Sequence, residues 1–310
     1  MRWGCDRHRA VRVGVALGGG GVRGLAHVGV LRAMTEERIP VDLIAGISMG
    51  AIVAARFSLM EGLPDQSLIG GLGGLGLSPL PSLAQGPDSN GWWGRLRRLV
   101  DLQRFMLDNL LWWGVAHEAK ADALLLELTA GKRLEEGRIP LAVVACDLIS
   151  GTPVVFRTGP ARLALRASTA LPGFFPPVSH NGQLLADGGL VGMVPTGVVR
   201  EMGAGLVIAV DADPPHSVPE IRDGLEAFLR VLDICWQHHK ECLLREADVV
   251  IRPEFGGPIR TLDFSKSGQC VEAGARAARE AVPVIRSLLQ DKQPGNLHRW
   301  LGTVMRGRRG

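Results

Sequence analysis

The sequence predicts an α/β protein, a single three-layer α/β/α domain around a central, mostly parallel sheet. Three observations carry this. Val11–Leu17 is a short apolar, β-branched run that stops at the four glycines Gly18–Gly21, as a buried strand would. Helical spacing over Leu25–Glu37 follows, then a second apolar run, Val41–Ala45, and a second helical one, Met49–Met60. A β-α-β-α order of this kind marks parallel strands joined by right-handed crossovers. The third is bulk. At 310 residues, 46% hydrophobic and 21% charged, the chain suffices for one large domain with a sizeable core.

Each later element is read in the same way. Residues 61–120 break the rhythm: Gly70–Gly76 and Ser78–Asn90 read as loop, and Gly91–Gly114 as a partly helical stretch rich in leucine and tryptophan. Regularity returns with a helix at Ala121–Ala130, a strand at Leu141–Ala145 and a short strand at Val154–Phe156. A helix at Arg162–Ser168 and a short strand at Gln183–Ala186 come next. Pro195–Glu201 reads as a helix with proline in its first turn. Then follow a strand at Leu206–Val210, a long helix at Ile221–Arg245, a strand at Val249–Ile251 and a last helix at Gly268–Leu289. The domain is expected over residues 10–290, with 1–9 and 291–310 as basic tails.

Charge and cysteine usage narrow the function classes. Arg2, Arg7, Arg9 and Arg12 outnumber Asp6 at one end, and Lys292, Arg299, Arg306, Arg308 and Arg309 outnumber Asp291 at the other. The ends therefore hold more than the whole net charge of +4. Positive charge on solvated tails rather than on a folded face argues against nucleic-acid binding, although basic tails can touch anionic lipid. The five cysteines are odd in number and form no CxxC pair, which points away from a disulfide framework or zinc site and toward a reducing compartment. Cys235 and Cys242, seven apart, are expected to share one buried helix face. Val13–Leu17 is too short for a signal-peptide core, and the uncharged run Gln66–Pro87 holds too many glycines and prolines for a membrane helix. A cytoplasmic protein, touching membrane at most peripherally, is expected.

Gly46-Ile47-Ser48-Met49-Gly50 lies where the second strand hands over to a helix. This is G-x-S-x-G, in which glycines permit a strained turn and the serine is thrown clear at a helix N-terminus. After the first strand stands Gly18-Gly19-Gly20-Gly21-Val22-Arg23-Gly24. Consecutive glycines let backbone N–H groups converge on an anion, here the oxyanion of acyl transfer. The same glycines, Gly19, Gly21 and Gly24, also fit a dinucleotide fingerprint, but that needs an acid at the end of the second strand, and Asp42 sits at its start. The eight histidines include none persuasively placed as base: His27 lies near the glycine loop, His216 in a proline-rich loop, His238 and His239 inside a long helix. Asp187-Gly188-Gly189 follows a short strand, and a carboxylate there can serve as base if it reaches the serine; alone, it reads as an ordinary Asp-Gly turn.

Together, Gly18–Gly24, Gly46–Gly50 and Asp187–Gly189 resemble the patatin-like phospholipase family, bacterial type. Arg166–Pro177, RASTALPGFFPP, and Leu17–Leu31, LGGGGVRGLAHVGVL, add to the likeness, which spans about residues 11–200 and, more weakly, Val249–Pro253. The resemblance implies a Ser–Asp dyad without catalytic histidine: Ser48 attacks an ester carbonyl, and Asp187 takes its proton and later activates water. It implies an oxyanion hole at Gly19, Gly20 and Gly21 with Arg23 nearby, and supporting roles for Gly24, Gly46, Gly50, Gly188 and Gly189. The substrates implied are lipid acyl esters, phospholipid or lysophospholipid, with no cofactor and no metal. A non-catalytic lipid-binding protein on the same fold is the alternative. One departure stands out: Gly192 occupies the place of an asparagine common after the DGG, which is expected to loosen the loop holding Asp187.

The segment 61–120 is expected to form a variable, lid-like insert. Leu96, Leu99, Val100, Leu102, Phe105, Met106, Leu110 and Leu111 are dense enough for an amphipathic helix, bracketed by Trp92, Trp93, Trp112 and Trp113. Arg95, Arg97, Arg98 and Arg104 occupy its first half. Such a helix suits a lipid–water interface, and it equally suits packing on the core with its arginines in solvent.

Overall fold

Alternate residues of the strands feed two separate apolar layers, one on each side of a single sheet. The computed structural model of the chain describes residues 11–61, 115–172, 175–213, 221, 224–259 and 263–292. Among these are the strands β1 (Val13–Leu17), β2 (Leu43–Ile47), β3 (Leu141–Asp147), β4 (Thr152–Phe156), β5 (Val178–His180), β6 (Gln183–Asp187), β7 (Leu206–Val210) and β8 (Val249–Ile251). The helices are α1 (Ala26–Glu36), α2 (Met49–Leu59), α3 (Val115–Thr129), α4 (Ala161–Ser168), α5 (Thr196–Glu201), α6 (Gly224–Leu244) and α7 (Ser267–Asp291). No described helix is long and apolar enough to cross a membrane. The expectations for residues 62–114, the glycine-rich loop, the tryptophan-bracketed helix and the lid, lie outside the described residues, as do those for 1–10 and 293–310.

The sheet runs β5-β6-β3-β2-β1-β7-β8, with β4 also paired to β3. β3, β2, β1, β7 and β8 are parallel; β4 and β6 pair antiparallel with β3, and β5 pairs antiparallel with β6. Val13, Val15 and Leu17 of β1 join Ile44, Val143, Ile208 and Ile251 in the larger layer, against α1, α2, α3, α4 and α7. The other face carries small residues, Ala16, Ala45, Ala142 and Ala209, which let α5 and the end of α6 pack closely through Val199 and Leu244. Burial on both faces explains why β1, β2 and β7 read as unbroken apolar runs.

Some boundaries differ from expectation for identifiable reasons. The second strand spans Leu43–Ile47, two residues later than its apolar run suggested. Asp42 stands before it and accepts the Val13 N–H at 2.8 Å, so this residue ties down the start of β1. β5 was not expected, since its three residues sit between Pro177 and the Asn181-Gly182 turn. Cys235 and Cys242 are both exposed on α6, contrary to the shared buried face expected of them. Among the described side chains of α6, Lys240 and Leu244 are the buried ones, and Cys235 and Cys242 lie off the face they form. α7 continues through Asp291, and Lys292, expected in a tail, is anchored on Gly205 O (2.6 Å) and Asp248 (2.8 Å).

Candidate active site

Ser48 is the first residue after β2 and the N-cap of α2, with φ 55° and ψ −124°. A side-chain-bearing residue rarely adopts positive φ, and it is held there by crowding on both sides. A Cβ on Gly50 would fall on the carbonyl oxygens of Leu17 and Gly18, and one on Gly46 would fall on the first turn of α2. Both glycines of the pentapeptide are therefore required for strand and helix to approach. The Ser48 N–H donates to Ser168 Oγ at 3.0 Å, and Ser168 Oγ in turn donates to Val144 O at 2.6 Å.

The register brings Asp187 to the same point. β2 pairs with β3 up to Ile47↔Val144, and β6 pairs with β3 from Ala145↔Asp187 onward. β4 pairs with Val143–Asp147, overlapping both, so it must occupy the opposite side of β3. β2 and β6 therefore share one side of β3, end to end. β6 arrives antiparallel in the lane that β2 vacates, and Ser48 and Asp187 stand at the two facing ends. The Ser48 side chain lies close enough to Asp187 to favour its ionised carboxylate. A Cβ on Gly188 would strike Val144 O, so only glycine lets the chain turn away beside this junction.

Asp187 is 4% exposed, and its Oδ1 accepts the Gly189 N–H at 2.8 Å. Burial raises its pKa from an ordinary 3.8 to about 6, against the lowering effects of the Gly189 N–H and the nearby Ser48 side chain. The following loop is tied internally, with the Gly192 N–H donating to Gly188 O at 3.2 Å. Gly192 itself packs against Leu243 of α6.

The glycine loop runs past the serine. Gly19 faces it, for a Cβ there would lie 3.6 Å from Ser48 Cβ. The Gly19 N–H, however, donates to Met193 O at 3.0 Å, so the expected oxyanion donor at this residue is already committed. Gly20 (φ 142°) and Gly21 (φ 57°) both adopt positive φ, and no backbone carbonyl among the described residues accepts either N–H. Arg23, expected as nearby positive charge, points elsewhere: its Nη2 pairs with Asp213 Oδ1 at 2.5 Å, and its Nε approaches Gly20 O at 3.5 Å. Gly24 gives way to Met49, whose side chain would meet a Cβ there at 2.7 Å.

Other candidates separate from the serine. His27 is fully buried, with Nε2 2.8 Å from Gly18 O, and burial lowers its pKa to about 4. It is a neutral prop that donates to the glycine-loop backbone. His239 lies on α6, 3.1 Å from Val191 O. Asp42 sits at the opposite end of β2 from the glycine loop, which leaves the dinucleotide fingerprint without its acid. Among the described residues, no three His, Cys, Asp or Glu side chains gather as a metal-ion site. Ser168 was missed as an individual residue. It lies inside the RASTALPGFFPP segment, yet nothing in that run shows that its hydroxyl would bridge two strands.

The chain is similar to several known proteins. The family model described as patatin-like phospholipase matches residues 15–200. A patatin-like phospholipase domain-containing protein of Caenorhabditis elegans is 29% identical over 297 residues, covering 87% of this chain and 20% of the relative. An uncharacterized NTE family protein of Mycobacterium tuberculosis (strain ATCC 25618 / H37Rv) is 30% identical over 302 residues, covering 87% and 46%. Patatin-like phospholipase domain-containing protein 7 of Mus musculus is 27% identical over 315 residues, covering 91% and 22%. The chain thus spans from a fifth to about half the length of these curated relatives. Among solved structures, VipD from Legionella pneumophila aligns with a TM-score of 0.44 at 15% identity, covering 89% of this chain and 67% of that one.

Proposed function

The chain belongs to the patatin-like phospholipase family, and from that premise we propose that it hydrolyses lipid acyl esters, phospholipid or lysophospholipid, through a Ser48–Asp187 dyad. The observation that carries the proposal is the meeting of Ser48, at the end of β2, with the buried Asp187 carboxylate, at the facing end of β6. Asp187, ionised above about pH 6, takes the hydroxyl proton as Ser48 Oγ attacks the ester carbonyl. The negative charge that develops on the carbonyl oxygen is received by the N–H groups of Gly20 and Gly21, which the described backbone leaves unclaimed. The positive end of α2 supports the same charge. Collapse of the tetrahedral adduct expels the alcohol portion of the lipid, protonated by Asp187, and leaves an acyl-serine. Water then gives its proton to Asp187 and attacks the acyl carbon, which releases the fatty acid and restores the hydroxyl.

Hydrolysis of a p-nitrophenyl acyl ester tests this reading, with Ser48→Ala and Asp187→Asn alongside. Wild type is expected to be active, with both variants reduced by about 10³-fold or more. A fluorophosphonate probe should label Ser48 and no other serine. Equal rates for all three proteins would leave the non-catalytic lipid-binding alternative in possession.

A further inference from the structure

We propose that Arg23, Asp213 and Lys240 form a brace that fixes the Gly20–Gly21 peptide with its N–H free for the oxyanion. They are positioning residues and touch no substrate. The proposal rests on the Ser48–Asp187 reading above.

The Gly20 carbonyl and the Gly21 N–H belong to one planar trans unit, so they point in opposite directions. A glycine on each side makes rotation of that unit sterically cheap, and rotation would present a carbonyl where the oxyanion needs a donor. Something must therefore hold the carbonyl. Arg23 Nε approaches Gly20 O at 3.5 Å, while its Nη2 is fixed on Asp213 Oδ1 at 2.5 Å. Asp213 is fixed in turn. Its N–H donates to Asp211 Oδ1 at 3.1 Å, its Oδ2 accepts from Gln237 Nε2 at 3.4 Å, and its carbonyl accepts from Lys240 Nζ.

The anchor is a buried ion pair. Lys240 Nζ lies 3.0 Å from Asp211 Oδ1, and both side chains are 1% exposed. Arg252 approaches the other Asp211 oxygen at 3.4 Å. A charge buried this deeply is strongly unfavourable without its partner, so the pair holds the Asp211–Asp213 turn in one arrangement. The glycine loop rests on that turn, for a Cβ at Gly20 would lie 3.3 Å from Ala212 O. The brace thus runs from α6, through the residues after β7, to the peptide beside the serine.

The test measures kcat and KM on a p-nitrophenyl ester, normalised to active sites titrated with a fluorophosphonate. The proteins are wild type, Arg23→Met, Lys240→Met, the Arg23/Lys240 double variant and Ser48→Ala, the last normalised to protein concentration. Loss of a single oxyanion donor lowers kcat by roughly 10²–10³-fold, and misorienting one should lower it by about tenfold or more. Each single variant is expected to lose kcat on that scale with KM nearly unchanged, and the double variant to be no worse than the poorer single one. Singles that keep wild-type kcat, or losses that multiply in the double variant, would overturn the brace. If Lys240→Met does not fold, Arg23→Met decides alone by the same criterion. If Ser48→Ala stays active, the dyad reading falls and the brace with it. An inactive Ser48→Ala beside an unchanged Arg23→Met removes the brace only.

Discussion

At Asp187, folding and chemistry ask for opposite charge states. Its pKa is raised to about 6 by burial, so folding favours the neutral acid while the proposed role as base needs the carboxylate. Activity should therefore fall as pH drops, with an inflection in kcat/KM near 6; a profile flat from pH 8 to 5 would contradict Asp187 as base. A carboxyl with a raised folded pKa contributes stability that is present below about 3.8 and lost as pH rises to about 6. The loss amounts to about 3 kcal/mol. His27 works in the other direction. Its pKa, lowered from 6.5 to about 4, supplies stability that is lost as pH falls through that window. The two trends offset each other between pH 6.5 and 4. Asp187→Asn removes one of them, so it should be inactive, more heat-stable than wild type at pH 8, and steeper in its loss of stability on acidification. Thermal melts at pH 8, 6 and 4 check all three features.

At the scale of elements, the junction of β2, α2 and β3 hangs on Ser168. Its hydroxyl bonds both Val144 O and the Ser48 N–H, so Ser168→Ala removes the acceptor of one and a donor to the other. The expected result is a loss of about 1–3 kcal/mol in denaturant unfolding, together with a fall in kcat. Gly50→Ala should destabilise by a similar amount, because its new methyl meets two carbonyl oxygens that cannot retreat. The two differ in legibility. Gly46, Ser48 and Gly50 could be read because the pentapeptide and its strand–helix flanks are local features of the chain. Asp187 could be named only by its resemblance to a known motif, since the pairing that delivers it to Ser48 is a matter of register between distant segments. Asp211, Asp213 and Lys240 left no mark at all. A lysine on a long helix reads as solvent-facing, and only the approach of the turn after β7 buries it.

At the scale of the whole molecule, the three layers were legible because hydrophobic periodicity and element order are properties of the chain itself. The antiparallel β4, β5 and β6 that complete the sheet break the βαβ rhythm, so their placement was not. Within the larger helical layer, α1 and α7 cross in close backbone contact. A Cβ on Gly29 would fall on Val271 O, and one on Gly274 on Ala26 O, so backbone touches backbone there. Gly274→Ala should push α7 away from α1, the helix that carries His27 beneath the glycine loop. A loss of about 1–3 kcal/mol is expected by calorimetry, with activity falling in parallel. The end-to-end arrangement of β2 and β6 has its own consequence. Ser48 and Asp187 are aligned by one shared neighbour, β3. A one-residue slide of β6 along β3 would turn Asp187 to the far side of the sheet while leaving every helix in place. Such a mis-threaded molecule would melt cooperatively, scatter like the native protein and yet be chemically silent.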